Sequence, residues 1–309
     1  MEQARSARES VEGTQPGGFR PFDWGHIALT SLIFGSAFLW ISIALRSLSP
    51  GVIAFTRVVL GAGAIALFRS ARILPAPSDW SRVVVAALVG QAGPSLLFAM
   101  AEERISSSLT GMLVSGIPVF AAVLAALLTR TRPSGGRVAG LTLGFTGIAL
   151  LGLPALGEST ASAVGVGMVI SATIGYAVAA VFYAPLQQRY GANAVVLWTL
   201  SIAAVALAPF GIVGAGDSSL AVKPIAALVI LGVVGTGFAR SLMVAAFGRL
   251  GTVRASIISY LIPIVALVLG VVVLDETVEW IQIAGALVAI AGGWLLSRGR
   301  TGQAVQSST

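Results

Sequence analysis

Apolar runs of about twenty residues, broken by short polar or Gly/Pro-rich stretches, occupy most of the chain between residues 24 and 296. A run of that length matches the hydrocarbon core of a bilayer, roughly 30 Å at about 1.5 Å rise per residue. In lipid the backbone must satisfy its own hydrogen bonds, so each run is expected as a helix. The pattern predicts ten spans, near 24–45, 51–68, 81–101, 108–128, 137–153, 163–184, 193–213, 224–245, 253–274 and 278–296. Their short connections make consecutive helices antiparallel neighbours. The expected fold class is an all-α polytopic membrane protein.

The pattern also repeats. A shift of 145 carries Arg104 onto Arg249, Pro118 onto Pro263, Gly140 onto Gly285 and Gly147 onto Gly292. A shift of 140 carries Gly25 onto Gly165, Gly35 onto Gly175 and Gly51 onto Gly191. Residues 24–153 and 163–296 therefore read as two repeats of five helices, joined by a linker at 154–162. Because five is odd, the second copy enters the membrane from the opposite side, the inverted plan of many secondary transporters.

Charge places the two faces. One set of loops and ends carries Arg5, Arg8, Arg20, Arg69, Arg72, Arg82, Arg130, Arg132, Arg137, Arg189, Arg249, Arg254, Arg298 and Arg300. The other carries only Arg46, Arg104 and Lys223, which puts both termini in the cytoplasm by the positive-inside rule. Equivalent loops are opposite in sign: Thr129 to Arg137 holds three arginines, while its counterpart holds Asp275, Glu276 and Glu279. Residues 1–23 lack the apolar core and small-residue cleavage pattern of a signal peptide and are expected as a cytoplasmic tail, as are residues 297–309.

Composition agrees: 56% apolar and 10% charged residues, with a mean hydropathy of +0.94, exceed what a soluble domain of 309 residues carries. The net charge of +7 is dispersed over short loops without interleaved aromatics, which argues against nucleic acid as a partner and for a bilayer. Absence of cysteine excludes disulfides and thiolate metal sites. No cofactor, P-loop, zinc-protease or serine-hydrolase motif is present. Gly214-Ala215-Gly216-Asp217 matches the string of intramembrane aspartyl proteases, yet it falls in a loop and no second aspartate stands in a span. An enzyme is not expected; a non-transporting scaffold or accessory subunit is the main alternative to a carrier.

Gly35-Ser36 in the first span, Arg57 in the second, Pro118 and Pro263, Glu276 after the ninth span and the glycines of the fifth and tenth carry a family likeness. On these features the chain resembles the EamA-type transporters of the drug/metabolite transporter superfamily. The resemblance implies an export or uptake carrier of small metabolites such as amino acids; an exporter in the cytoplasmic membrane is expected. Two positions depart from the usual pattern: Phe34 stands where a Trp is common, and Thr131 where an acid is common.

Candidate substrate-path residues are Arg57, Trp40, Gln91, Ser95, Tyr176, Tyr183 and Tyr260. Arg57 lies about 10 Å below one boundary, where it either grips a substrate carboxylate in a wet cavity or snorkels to the surface. The aromatics either line a path or anchor the interface. Gln91 and Ser95 pair by the repeat with Thr236 and Arg240 as a polar stripe or as interhelical hydrogen bonds. Arg240, near the inner end of its span, is expected to snorkel or meet a lipid phosphate. Pro118 and Pro263 are hinge candidates, since each removes a backbone donor inside a helix. Gly140, Gly144, Gly147, Gly285 and Gly292 are expected to pack helices closely, within a monomer or in a homodimer. No Asp or Glu stands well inside a span, so a facilitator or exchanger, or coupling through Glu102, Glu103 or Glu276, is expected.

Overall fold

The computed structural model describes residues 20–129, 135–255 and 257–298, and every regular element among them is helical. Arg5, Arg8, Arg130, Thr131, Arg132 and Arg300, with tail residues 1–19 and 299–309, lie outside the described residues. Among the described residues six runs are long and apolar enough to cross a membrane: Pro21–Leu45, Pro77–Glu102, Ser107–Leu124, Thr160–Tyr190, Ala192–Asp217 and Val222–Leu250. Shorter apolar helices cover Pro50–Ala66, Val138–Pro154, Ile258–Leu274 and Trp280–Leu296.

The α-helices are α1 (Pro21–Leu45), α2 (Pro50–Ala66), α3 (Trp80–Ala87), α4 (Gly93–Glu102), α5 (Ser107–Leu113), α6 (Ile117–Thr129) and α7 (Gly135–Glu158). They continue as α8 (Thr160–Tyr190), α9 (Ala192–Gly214), α10 (Val222–Ile230), α11 (Ala239–Ala255), α12 (Ile257–Leu274) and α13 (Trp280–Arg298). Local chemistry sets many ends. Ser49, Ser106 and Ser159 cap α2, α5 and α8 through backbone amides three residues on, at 3.4, 3.2 and 3.1 Å. Pro21 and Pro50 occupy first-turn positions that need no donor. Gly191, at φ 79°, stops α8 and turns the chain directly into α9.

Three helices continue into the next through irregular turns. A wide π-helical turn, Leu88–Ala92, joins α3 to α4, and a second, Leu231–Phe238, joins α10 to α11. The shift of 145 lays the first inside the second. A tight 3₁₀ turn, Val114–Gly116, joins α5 to α6. Pro118 follows that turn at the second position of α6, where its missing N–H costs little, whereas Pro263 sits inside an uninterrupted α12.

Segment 154–162, expected as a linker, is helical on both sides of Ser159. Pro154 lies inside α7, where its missing N–H withholds the i→i−4 hydrogen bond from the Leu150 carbonyl.

Packing in one half has its counterpart in the other. α7 lies along α13, and α2 along α9. α1 packs on α12 as α8 packs on α5 and α6; α2 meets the turn at Leu231–Phe238 as α9 meets the turn at Leu88–Ala92. The α7–α13 pair is closed by small residues: a Cβ on Gly285 would stand 2.8 Å from the Leu151 amide and 2.9 Å from the Gly147 carbonyl, and one on Gly147 would press on Ala289. Gly144 and Gly292 face one another in the same seam, and Gly140 faces Leu296.

Ion pairs tie helix ends together. Arg249 reaches Asp23 at 2.8 Å, joining α11 to α1, and Arg189 reaches Asp79 at 2.9 Å, joining α8 to the start of α3. Asp79 also accepts from Tyr190 at 2.7 Å and Arg82 at 3.1 Å.

Candidate functional site

A cavity of about 60 Å³, enough for a few waters, lies where the two halves meet. From the first half come Phe34, Ala37, Phe38 and Ile41 of α1, Arg57 of α2, Phe98 of α4, and Val114 and Ile117 around the 3₁₀ turn. From the second come Tyr176, Ala180 and Tyr183 of α8, Arg240, Met243 and Phe247 of α11, and Ser259 and Ile262 of α12. Six aromatic side chains stand in its wall. Phe38 meets Phe98 edge-on at 5.6 Å, and Phe98 meets Tyr176 at 5.6 Å.

Two arginines interrupt this apolar lining. Arg57 is 5% exposed, and its Nε donates to Thr236 Oγ1 at 3.0 Å. Thr236 in turn donates to the Leu231 carbonyl at 2.8 Å, a bond across five residues that the wide turn makes available. Arg240 is 6% exposed; its Nη2 donates to Tyr176 Oη at 3.1 Å, and its guanidinium lies 4.8 Å from the Tyr176 ring centre and 5.2 Å from that of Phe34. The expectation that Arg240 snorkels is corrected: its head is enclosed by protein.

Of the other candidates, Tyr183 reaches the lining and is held from behind. Its hydroxyl accepts from Gln91 Nε2 at 3.1 Å and donates to the Ala86 carbonyl at 3.5 Å, beside the first wide turn. Gln91 thus supports the wall without forming it. Ser95 is buried away from the lining, and Trp40 is half-buried against the core. Tyr260 is buried against Gly293 of α13, where a Cβ would stand 2.8 Å from its ring.

A second, polar pocket of about 390 Å³ opens where α4 passes into α5. Glu102, Glu103, Arg104, Ser106, Thr277 and Glu279 line it. Beside it Glu276, from the loop after α12, accepts hydrogen bonds from the first residues of α5: Ser107 N at 2.8 Å, Ser108 N at 2.9 Å and Ser108 Oγ at 2.5 Å. Among the described residues no cluster of three or more His, Cys, Asp or Glu side chains could hold a metal ion.

The chain is 27% identical over 285 residues to an uncharacterized transporter of Archaeoglobus fulgidus, covering 90% of this chain and 99% of that protein. It is 25% identical over 293 residues to a probable terminal-alkyne amino-acid exporter of Streptantibioticus cattleyicolor, covering 92% and 96%. A solved crystal structure, 20% identical, superposes with a TM-score of 0.61 over 87% of this chain and 94% of that one, a likeness of fold. The sequence profile described as the EamA-like transporter family matches twice, at residues 25–153 and 163–298. With apolar helices long enough to cross a bilayer, transporter relatives along nearly its whole length and two family matches, this multi-pass membrane protein belongs to the EamA-like transporter family.

Proposed function

We propose that the chain is a secondary carrier that exports small metabolites across the cytoplasmic membrane by alternating access, with ten spans in two inverted repeats and both termini cytoplasmic. The observation that carries this reading is a cavity lined by both halves and holding two buried arginines. Matching packing partnerships in the two halves support two symmetric alternatives of one cavity. The direction of transport is carried over from the amino-acid exporter among the relatives.

In this reading the described state is closed at the outer end. Glu276 ties the loop after α12 to the start of α5 there, while Phe247 and Ser259 extend the cavity toward the face rich in arginine. The ion pairs Asp23–Arg249 and Asp79–Arg189 hold helices at the opposite end without crossing between α5 and α12. The 3₁₀ turn before Pro118 gives the α5–α6 rod a place to bend.

Counterflow in proteoliposomes is the test. Preloaded metabolite should accelerate entry of its labelled form, and Arg240→Ala should abolish the acceleration. A broad metabolite panel that never exceeds protein-free vesicles would defeat the reading.

A further inference from the structure

We infer that the cavity selects net-anionic solutes, a carboxylate joined to an apolar or aromatic body, over zwitterionic amino acids and amines. The inference rests on the carrier reading above and specifies its substrate class.

The charge inventory of the cavity lining is one-sided. Arg57 and Arg240 each carry a guanidinium with five N–H donors. Among the described residues the ion pairs are Arg82–Asp79, Arg104–Glu103, Arg189–Asp79 and Arg249–Asp23, so neither cavity arginine has a carboxylate. Arg57 spends one donor on Thr236 and Arg240 one on Tyr176; the Nε of Arg240 is buried with no partner. Among the described residues no Asp or Glu lines the cavity; the buried Glu102, whose charge reaches Arg57, lines the separate polar pocket. Two cations this deep in a membrane protein are costly unless an anion joins them. Thr236, which anchors Arg57, and Arg240 stand on one continuous rod, so both guanidinium groups serve the same wall.

An ammonium has no such welcome. It would enter beside two like charges, and the tyrosine hydroxyls are engaged, Tyr183 with Gln91 and Ala86, Tyr176 with Arg240. The remaining surface, Phe34, Phe38, Phe98 and Ile262, suits a carbon skeleton.

The test keeps the body constant and varies the charge. Full-length protein in phosphatidylcholine nanodiscs, free of anionic lipid that could occupy the arginines, is titrated with 3-phenylpropionate, phenylalanine, 3-phenylpropylamine and 3-phenylpropanamide. A parallel set uses 4-methylpentanoate, leucine and the matching amine and amide. At least one acid should raise the melting temperature saturably, with an apparent Kd about tenfold or more below those of its amino acid and amide. Arg57→Gln and Arg240→Gln should each weaken acid binding by about tenfold or more, and Arg240→Lys, which keeps the charge, should recover part of it.

Failure of both acids to bind overturns the inference, as does an amino acid or amine binding as tightly as its acid. Unchanged acid binding in folded Gln variants overturns it too. Counterflow separates the two readings: acid binding without acid counterflow defeats the carrier and leaves the selectivity, whereas phenylalanine counterflow without acid binding defeats the selectivity and leaves the carrier.

Discussion

Glu276 holds Ser108 twice, accepting from its backbone amide at 2.9 Å and its hydroxyl at 2.5 Å, although the residues stand 168 positions apart. A carboxylate at a helix start is favoured by the unsatisfied amides and by the helix dipole. The contact joins the loop after α12 to the first turn of α5, and Gly270 leaves the room for it, since a Cβ there would meet both Ser108 Oγ and the Glu276 carboxylate.

Glu276→Gln should therefore lower stability by about 1–2 kcal/mol, because charge-assisted bonds become neutral ones. Thermal melting of the purified protein measures this. In the cysteine-free chain, Val114→Cys combined with Glu276→Gln should react several-fold faster with an impermeant maleimide added from the Glu276 end than Val114→Cys alone. Equal rates would show that the contact does not seal that end.

The seam between α7 and α13 should not tolerate volume. Gly147→Val or Gly285→Val is expected to cost about 1–3 kcal/mol, since each new side chain meets backbone that cannot step aside. Gly63 has nothing within 4 Å of a built Cβ, so Gly63→Ala should be neutral or stabilising by up to about 1 kcal/mol. Melting temperatures of the three variants decide it.

Asp79 gathers Arg82, Arg189 and Tyr190 while itself almost wholly buried. Asp79→Asn should lower stability by about 2 kcal/mol through lost charge-assisted bonds, whereas Arg82→Gln, at a largely exposed partner, should change it by under about 1 kcal/mol. Chemical or thermal unfolding in one detergent compares them.

Thr236→Val removes the hydroxyl that both fills the Leu231 carbonyl and anchors Arg57. The expected outcome is weaker binding of an anionic probe by about three- to tenfold with the protein still folded, read by titration and melting together.

The apolar runs placed span starts at 51, 108, 163 and 193, within three residues of the observed starts at Pro50, Ser107, Thr160 and Ala192, although the caps that set those starts, Ser49, Ser106, Ser159 and Gly191, were not read from the sequence. Arg57, Tyr176 and Tyr183 could be singled out as polar or aromatic groups in apolar runs, and the fold brings them to one cavity. Glu276 stood out as a family feature, but its partner could not be read, since nothing within the loop reveals a helix 168 residues away. Trp40 and Tyr260 look like lining residues in sequence; packing against the core and Gly293 uses them elsewhere. Arg240 misled in the other direction, for a reason that lies in the helix that carries it.

A π-helical turn spans one residue more than an α-turn, so it rotates everything beyond it by about 100° relative to an unbroken helix. The turn at Leu231–Phe238 ends immediately before Ala239 and Arg240. It acts as an angular offset built into the rod, aiming the arginine inward where an ideal helix would have aimed another face. Removing a single residue from that turn would rotate the guanidinium by about 100° away from the cavity while leaving every other part of the sequence intact.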